Sequence, residues 1–166
     1  MSRRVARSGR TALGLALALA LSATAAAAVA EPLDLGPAQL TLDAGWTGPT
    51  AAPTRVVRTR GDTTVVAVRY EVPNVAAWRD STRADHVDAI AAGFAIDGWT
   101  IEDQALTRLG RAAVPTLDLT LTRRGPRGRE RAAVRVLLFR TLTWVAIAGG
   151  GDRRAVEAAA RALSPE

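Results

Sequence analysis

The sequence predicts an α+β protein: a mainly antiparallel sheet of about six to seven strands covered by two helices, an α/β/α sandwich. Apolar and polar residues alternate at period two through residues 63–72 and 116–122, which is the pattern of half-buried strands. Short turn-forming connections, Gly61-Asp62 among them, separate successive strand-like runs, and strands joined by hairpins pair antiparallel. Two stretches, one after Ser81 and Thr82 and one after Asp152, instead space their apolar residues at helical period, and such helices must cover the apolar faces of the sheet.

The N-terminus bears on compartment before it bears on fold. Residues 1–10 carry four arginines and no acid, and residues 11–30 carry no charge at all, the layout of a secretory leader. Ala28-Val29-Ala30 offers a small-x-small cut site and Glu31-Pro32 breaks a continuing helix. The expected division is a signal peptide at 1–30, an extended lead-in at 31–37 and a single α+β domain at 38–166, with no transmembrane segment after cleavage. An uncleaved anchor and twin-arginine export through Ser2-Arg3-Arg4 are the alternatives. Ser22 and Thr24 interrupt the apolar run, and Ala6-Arg7 stands where the twin-arginine signal wants apolar residues. The expected location is periplasmic or secreted.

Four of the 22 basic residues belong to that leader, so the remainder holds 18 against 16 acidic ones and the formal charge falls from +6 to +2. All the basic residues are arginines, and the near balance argues against nucleic acid as a partner. The chain has no cysteine, which excludes disulfides, thiolate metal sites and a lipid-modified cysteine anchor, and leaves stability to the packed core.

The elements follow in order. Residues 39–42 and 54–60 read as strands, and residues 46–53, rich in glycine and proline, as a loop. A third strand covers residues 63–72, and the Gly61-Asp62 connection suits the positive φ of a primed hairpin turn. That turn contains Arg60-Gly61-Asp62, the adhesion tripeptide, which this composition also produces by chance. Thr82 with Asp85 forms a capping-box-like start to a helix whose Val87, Ile90, Ala91 and Phe94 make one stripe, ended by Gly93 or Gly98. Residues 99–107 form the next strand. In the strand at 116–122, Leu117, Leu119 and Leu121 are expected to face inward while Thr116, Asp118, Thr120 and Thr122 face water. Residues 123–131 read as a turn, and residues 132–140 and 141–148 as adjacent core strands rather than a membrane span, since Arg135 and Arg140 interrupt them. Gly149-Gly150-Gly151 ends the sheet. Asp152 caps a last helix with a buried stripe of Val156, Ala159, Ala160 and Leu163 and an i,i+4 pair between Glu157 and Arg161.

Chemistry is read by subtraction. His86 is the single histidine, beside Asp85 and Asp88 in the first helical turn, where acids complement the macrodipole and spread around the helix rather than converge, giving a solvent-facing helix start. Beyond the leader, Ser81 and Ser164 lack the setting of a nucleophile. Gly149-Gly150-Gly151-Asp152 lacks the Lys-Ser/Thr of a phosphate loop. No catalytic residue, metal site or cofactor is therefore expected. Asp118 is the carboxylate on which a carboxylate-dependent hydrolase would centre, with no partner identifiable.

One connection stands out. Arg123, Arg124, Arg127, Arg129 and Arg131 crowd nine residues, and guanidinium groups match phosphate and carboxylate bidentately. This arginine-rich hairpin is the candidate anion-binding site, with Arg55, Arg58 and Arg60 joining it if the two hairpins lie on one side. Glu130 offsets part of its charge, and no aromatic residue is interleaved. Trp46, Trp99 and Trp144 read as core; Trp78, in a connection, is the candidate for ligand or partner contact.

The layout from residue 36 to 164, a short strand into Ala44-Gly45-Trp46, strands, a central helix, strand pairs and a C-terminal helix ending Ala162-Leu163-Ser164, resembles the PsbP-like α/β/α sandwich group. Residues 40–46, 116–121 and 137–148 carry the resemblance. It implies a largely non-enzymatic protein, serving as an extrinsic subunit, envelope accessory protein or chaperone-like adaptor, with no shared catalytic residues to carry over. The expected function is thus an exported, non-catalytic binding or accessory module of the cell envelope, with an envelope protein or an anionic envelope component as partner.

Overall fold

A computed structural model describes residues 32–96, 98–126 and 128–166; the expected leader with its cut after Ala30, and Arg127 of the hairpin, lie outside the described residues. Strands β1 (Leu33–Asp34) and β2 (Ala38–Leu40) open the chain, followed by β3 (Arg55–Arg60) and β4 (Thr63–Tyr70). Helices α1 (Val75–Trp78) and α2 (Arg83–Phe94) lead to β5 (Thr100–Leu109), β6 (Val114–Gly125), β7 (Gly128–Leu138) and β8 (Thr143–Gly150). Helix α3 (Arg153–Arg161) and β9 (Leu163–Pro165) close it.

The α+β expectation holds: a six-stranded sheet runs β3-β4-β8-β7-β6-β5 with every neighbouring pair antiparallel. After the β3–β4 hairpin the chain crosses one face as α1 and α2, reaches the far edge at β5, and meanders back until β8 pairs with β4. Two details differ from expectation. There are three helices rather than two among the described residues, and β1, β2 and β9 form a second, three-stranded antiparallel sheet. The lead-in and the tail after α3 could not be read as strands because each is only two or three residues long, and the tail's partner, β2, is distant in sequence.

Two apolar clusters form. On one face α2 supplies Val87 and Ala91, which pack with Leu117, Leu119 and Leu121 of β6 and with alternate residues of β7. On the other, Val156, Ala159 and Ala160 of α3 pack with Val65, Ala67, Ala133, Ala146 and Ala148, joined by Leu40 and Leu163 of the small sheet and by the wholly buried Trp144. Three residues of the predicted α3 stripe, Val156, Ala159 and Ala160, are buried on the helix, whereas Leu163, also buried, lies beyond its end in β9; Asp152 caps the helix, its side chain accepting from the Ala155 N–H at 2.8 Å. Thr82 does not cap α2: its hydroxyl donates to the Ala76 carbonyl at 3.0 Å. The short α1 just before it offers that acceptor, and local carbonyls compete for such hydroxyls.

The largest departure is on β6. Thr116, Thr120 and Thr122 are all buried, because α3 folds over the face that alternation alone assigned to water. The 123–131 connection is likewise not an open turn: β6 and β7 stay paired out to Gly125 opposite Gly128. Arginine-rich strands lack the apolar alternation that reveals a strand in sequence.

Gly61 has φ +55° while no positive φ occurs at Asp62, as a type II′ hairpin requires. Gly150 has φ +79°, and a methyl group placed on it would overlap the Asp62 carbonyl oxygen. Gly150→Ala therefore combines left-handed strain with a backbone clash and should lower unfolding stability by about 2 kcal/mol or more, measured by urea denaturation; Gly93→Ala, which meets open space, should change it little and serves as the control.

Candidate anion-binding site

The register of the β6–β7 hairpin decides what its arginines can do together. Arg124 pairs directly with Arg129, Thr122 with Arg131, and Arg123 with Glu130. Because successive side chains alternate between faces, Arg124, Arg129 and Arg131 share the α3 side while Arg123 and Glu130 share the α2 side. The five predicted arginines do not make one patch. Four of them have described positions, and they divide three to one across the ribbon.

Each side has its own electrostatics. Arg123 donates from Nε to Glu130 Oε2 at 2.6 Å, and its guanidinium stacks 4.5 Å from the centroid of the Trp99 ring. Arg123 is thus neutralised and held flat. Aromatic interleaving, absent from the local sequence, arises in three dimensions, and Trp99, read as core, is half-buried at the cleft. On the other side Arg129 pairs with Glu102 of β5. Arg124 is exposed and has no carboxylate partner among the described residues, and Arg131 is half-buried with its Nε lacking a hydrogen-bond acceptor. Two like charges directly opposite on one face repel unless a counter-ion intervenes; here, among the described residues, Arg129 alone of the three has a carboxylate partner, Glu102.

Two open clefts meet at the hairpin. One of about 580 Å³ is lined by Thr100, Thr122, Arg123, Arg124 and Arg129 with Gly98 and Gly128. The second, about 540 Å³, is lined by Trp99, Arg123, Arg129 and Arg131, then by Ala132, Ile147 and the three glycines after it. The chemistry on offer is guanidinium and hydroxyl donors around a solvent-open space, suited to holding an oxyanion and not to moving a proton. No protein-family model and no curated protein matches the chain.

The other sequence candidates lie elsewhere. The β3–β4 turn does emerge from the same end of the sheet, since Thr63 pairs with Gly150 and Gly149 with Ala132. However, β3 and β6 stand four strand spacings apart, about 19 Å. Arg58 is engaged by the Pro49 carbonyl at 2.7 Å, and Arg60 by Asp43 at 2.5 Å and the Trp46 ring at 5.0 Å. Arg60 is therefore committed to a loop, which weakens the adhesion reading of the tripeptide. Trp78 sits at the opposite end of the sheet, its indole N–H donating to the Leu138 carbonyl at 2.8 Å and its ring covered by Arg140 at 4.8 Å. Its polar handle is satisfied internally, and it does not join the arginine site.

Asp118 is half-buried and already engaged. Both its oxygens accept from Arg135, Nε and Nη2 each at 2.7 Å. His86, expected to face solvent, is half-buried with Nε2 3.4 Å from Asn74 Oδ1. Asn74, which sequence reasoning passed over, is 1% exposed and donates to carbonyls of Phe139 and Leu142 at 2.8 and 3.1 Å, locking the β4–α1 connection to the β7–β8 turn. Its position beside Pro73, where asparagine commonly bridges a turn, was the available signal. Among the described residues no group of three or more His, Cys, Asp or Glu side chains is arranged to hold a metal ion.

Removing the Asp118 carboxylate charge leaves Arg135 buried without its counter-charge, so Asp118→Asn should destabilise by about 3 kcal/mol, whereas Asp118→Leu with Arg135→Met should cost less than the sum of the two single changes; chemical denaturation of the parent, the three single variants and the double variant measures both. Around Asp43, the hydrogen bond from Arg60, then that from the Trp46 indole, holds the carboxyl below its ordinary value of 3.8. A depressed folded value means the contact stabilises fully above the ordinary value and is lost as pH falls through the lower one. The Asp43-dependent change in tryptophan emission should accordingly have its midpoint below 3.8, and should move up towards it in Arg60→Ala; Asp43→Asn removes the transition and assigns it.

Proposed function

We propose that the protein is an exported, non-catalytic binding module of the cell envelope, and that the β6–β7 hairpin holds its ligand, an anion. The observation that carries this is the direct pairing of Arg124 with Arg129 beside Arg131, three guanidinium groups on one side of the ribbon of which, among the described residues, Arg129 alone has a carboxylate partner, Glu102. An oxyanion in the cleft with Thr100 and Thr122 relieves that repulsion, and arginine forks bind such groups with two parallel hydrogen bonds. The hydrolase alternative loses support because its carboxylate, Asp118, is taken up by Arg135.

The sandwich arrangement belongs to the same reading. Support comes from the two helices that feed opposite clusters, α2 with Val87 and Ala91, α3 with Val156, Ala159 and Ala160. The PsbP-like resemblance and the export leader point the same way, towards an accessory protein that meets envelope anions rather than a cytoplasmic enzyme. No helix among the described residues is long and apolar enough to cross a membrane.

The mature chain, residues 31–166, should be retained by immobilised inorganic polyphosphate at low salt and released as salt rises. Arg124→Ala with Arg129→Ala should weaken that binding by about 2 kcal/mol, roughly 30-fold, at about 1 kcal/mol per arginine near an anionic surface. Trp78→Leu should leave it unchanged. Equal affinity in the double arginine variant and the parent sinks the proposal.

A further inference from the structure

We propose that the protein pairs with a second copy of itself, α2 of each copy lying over the half of the partner's sheet that the partner's own α2 leaves open. This interface is separate from the arginine hairpin and does not rest on the anion-binding reading.

The α2 face of the sheet is covered on one side only. The cluster beneath α2 draws on β6, on β7 and on Val145 of β8, and takes no residue from β3 or β4. The register carries the same face on to Val57, Val66 and Ile147 in one row, and to Val68 and Tyr70 in the rows beside it. Ile147 is 40% and Tyr70 50% exposed, while Val57, Val66 and Val68 are half-buried. Apolar side chains from three adjacent strands thus meet water over one contiguous patch, and such a patch marks an interaction surface. Its width is that of one helix. α2 sits over β6 and β7, and the middle of the open half, between β8 and β4, is two strand spacings away, about 10 Å. Helices packed side by side have axes about 8–10 Å apart. A two-fold axis running along the helices and between them therefore seats each α2 in the other copy's vacancy, so that two facing sheets share one layer of two helices.

The helix is suited to lie between two sheets. Val87 and Ala91 face its own sheet, and the opposite side presents Asp85, Ala89 and Ala92, followed just past the helix end by Ile96, which is 63% exposed. Three of these four are apolar, where an outward helix face is ordinarily charged or polar. Charge identifies the occupant. Asp85 is exposed and has no cationic partner among the described residues, and Arg55 is exposed and has no carboxylate partner among them. Arg55 stands on β3 in the row of Val68 and Val145, on the α2 side of the sheet. Within one copy the two lie on opposite margins of that face. α2 starts at the Leu138 end of the sheet, where Trp78 just before it donates to the Leu138 carbonyl, so Asp85 is level with the Tyr70 and Arg55 rows. An axis along the helices preserves that level and brings Asp85 of each copy over the Arg55 margin of the other. An acyl chain or an uncharged apolar partner would cover the patch and leave both charges unmatched, whereas a second copy matches each of them twice.

Sedimentation velocity of residues 31–166 over a range of concentrations tests this. The parent should dimerise with a dissociation constant in the micromolar range. Asp85→Arg and Arg55→Glu each set like charges together twice per dimer, and each should raise that constant about tenfold or more. The two changes combined in one chain exchange the charges, and should return it to within about threefold of the parent. Ile147→Asp, in the middle of the patch, should abolish the dimer. All three positions are exposed, so the variants should keep the parent's cooperative thermal unfolding when measured as monomers. A parent that stays monomeric, whether or not it binds vesicles or another protein, overturns the proposal. So does a dimer indifferent to Ile147→Asp and to both charge reversals. Single reversals that weaken the dimer with no recovery in the combined variant overturn it as well, because α2 is then not seated beside Arg55.

Discussion

Arg135 is the charge on which one whole side of the molecule depends. It rises from the central strand β7 into the α3 face, where it is 9% exposed. Nε and Nη2 grip Asp118 on the neighbouring strand, and Nη1 donates to the carbonyls of Arg161 and Leu163 at 3.0 and 3.3 Å. The last carbonyls of a helix have no partner within it, and a cation there both satisfies them and complements the macrodipole. One side chain therefore fixes where α3 ends and where β9 begins. Since β9 pairs with β2 and β2 with β1, the second sheet is positioned through the same contact. The arrangement is hydrogen-bonded throughout, which is the condition under which a buried guanidinium is tolerated.

That commitment explains the asymmetry of the two faces. On the α3 side the sheet is pinned by charge as well as by packing, and small residues, Ala67, Ala133, Ala146 and Ala148, let the helix sit close. On the α2 side the helix leans on leucines of β6 and valines of β7 and reaches no further than Val145. Coverage therefore stops midway across the sheet, and the strands beyond it keep apolar residues that no element of the described chain buries. A protein without cysteine draws its stability from packed area, so the partly uncovered apolar row at Val57, Val66 and Ile147 is packing that the described chain leaves unmade.

Much of this was legible in residue spacing. Period two located β4 and the inner row of β6, helical spacing located the buried stripe of α3, and glycine placed the β3–β4 turn. What spacing cannot convey is which face a distant helix will cover. The threonines of β6 look like a wet face because hydroxyls are at home in water, but threonine packs well on a pleated surface and Thr116 satisfies its hydroxyl on the Val114 carbonyl at 3.0 Å. Asp118 escaped for the same reason: its partner Arg135 is 17 positions away, and only the β6–β7 register brings them together. At the hairpin the arginines were visible in composition, whereas their division between two faces follows from Gly125 pairing with Gly128, a register that an apolar-poor segment does not declare. Trp99 and Glu102 reach the site from another strand and left no local signal.

The edge of the sheet ties the fold to the site. At the β3 edge, Thr47 bridges Thr59 and Ala52 bridges Arg55, so part of that edge is already paired. β5 is the open edge, ten residues long and exposed along nearly its whole length. An unprotected strand of that length invites pairing with other chains. Here the register shifts between Ile101 and Asp103, so Glu102 is the extra residue of a bulge, and bulges and charges are what discourage edge-to-edge association. The same Glu102 neutralises Arg129. One residue thus guards the edge and, in the proposed anion site, sets a threshold: an anion there would have to accept from Arg124 and Arg131 alone or outcompete a carboxylate for Arg129. Monovalent ions with one weakly accepting face meet that threshold poorly. Phosphate, with three acceptor oxygens and more charge than the glutamate it displaces, is the group for which displacement gains more hydrogen bonds than it loses.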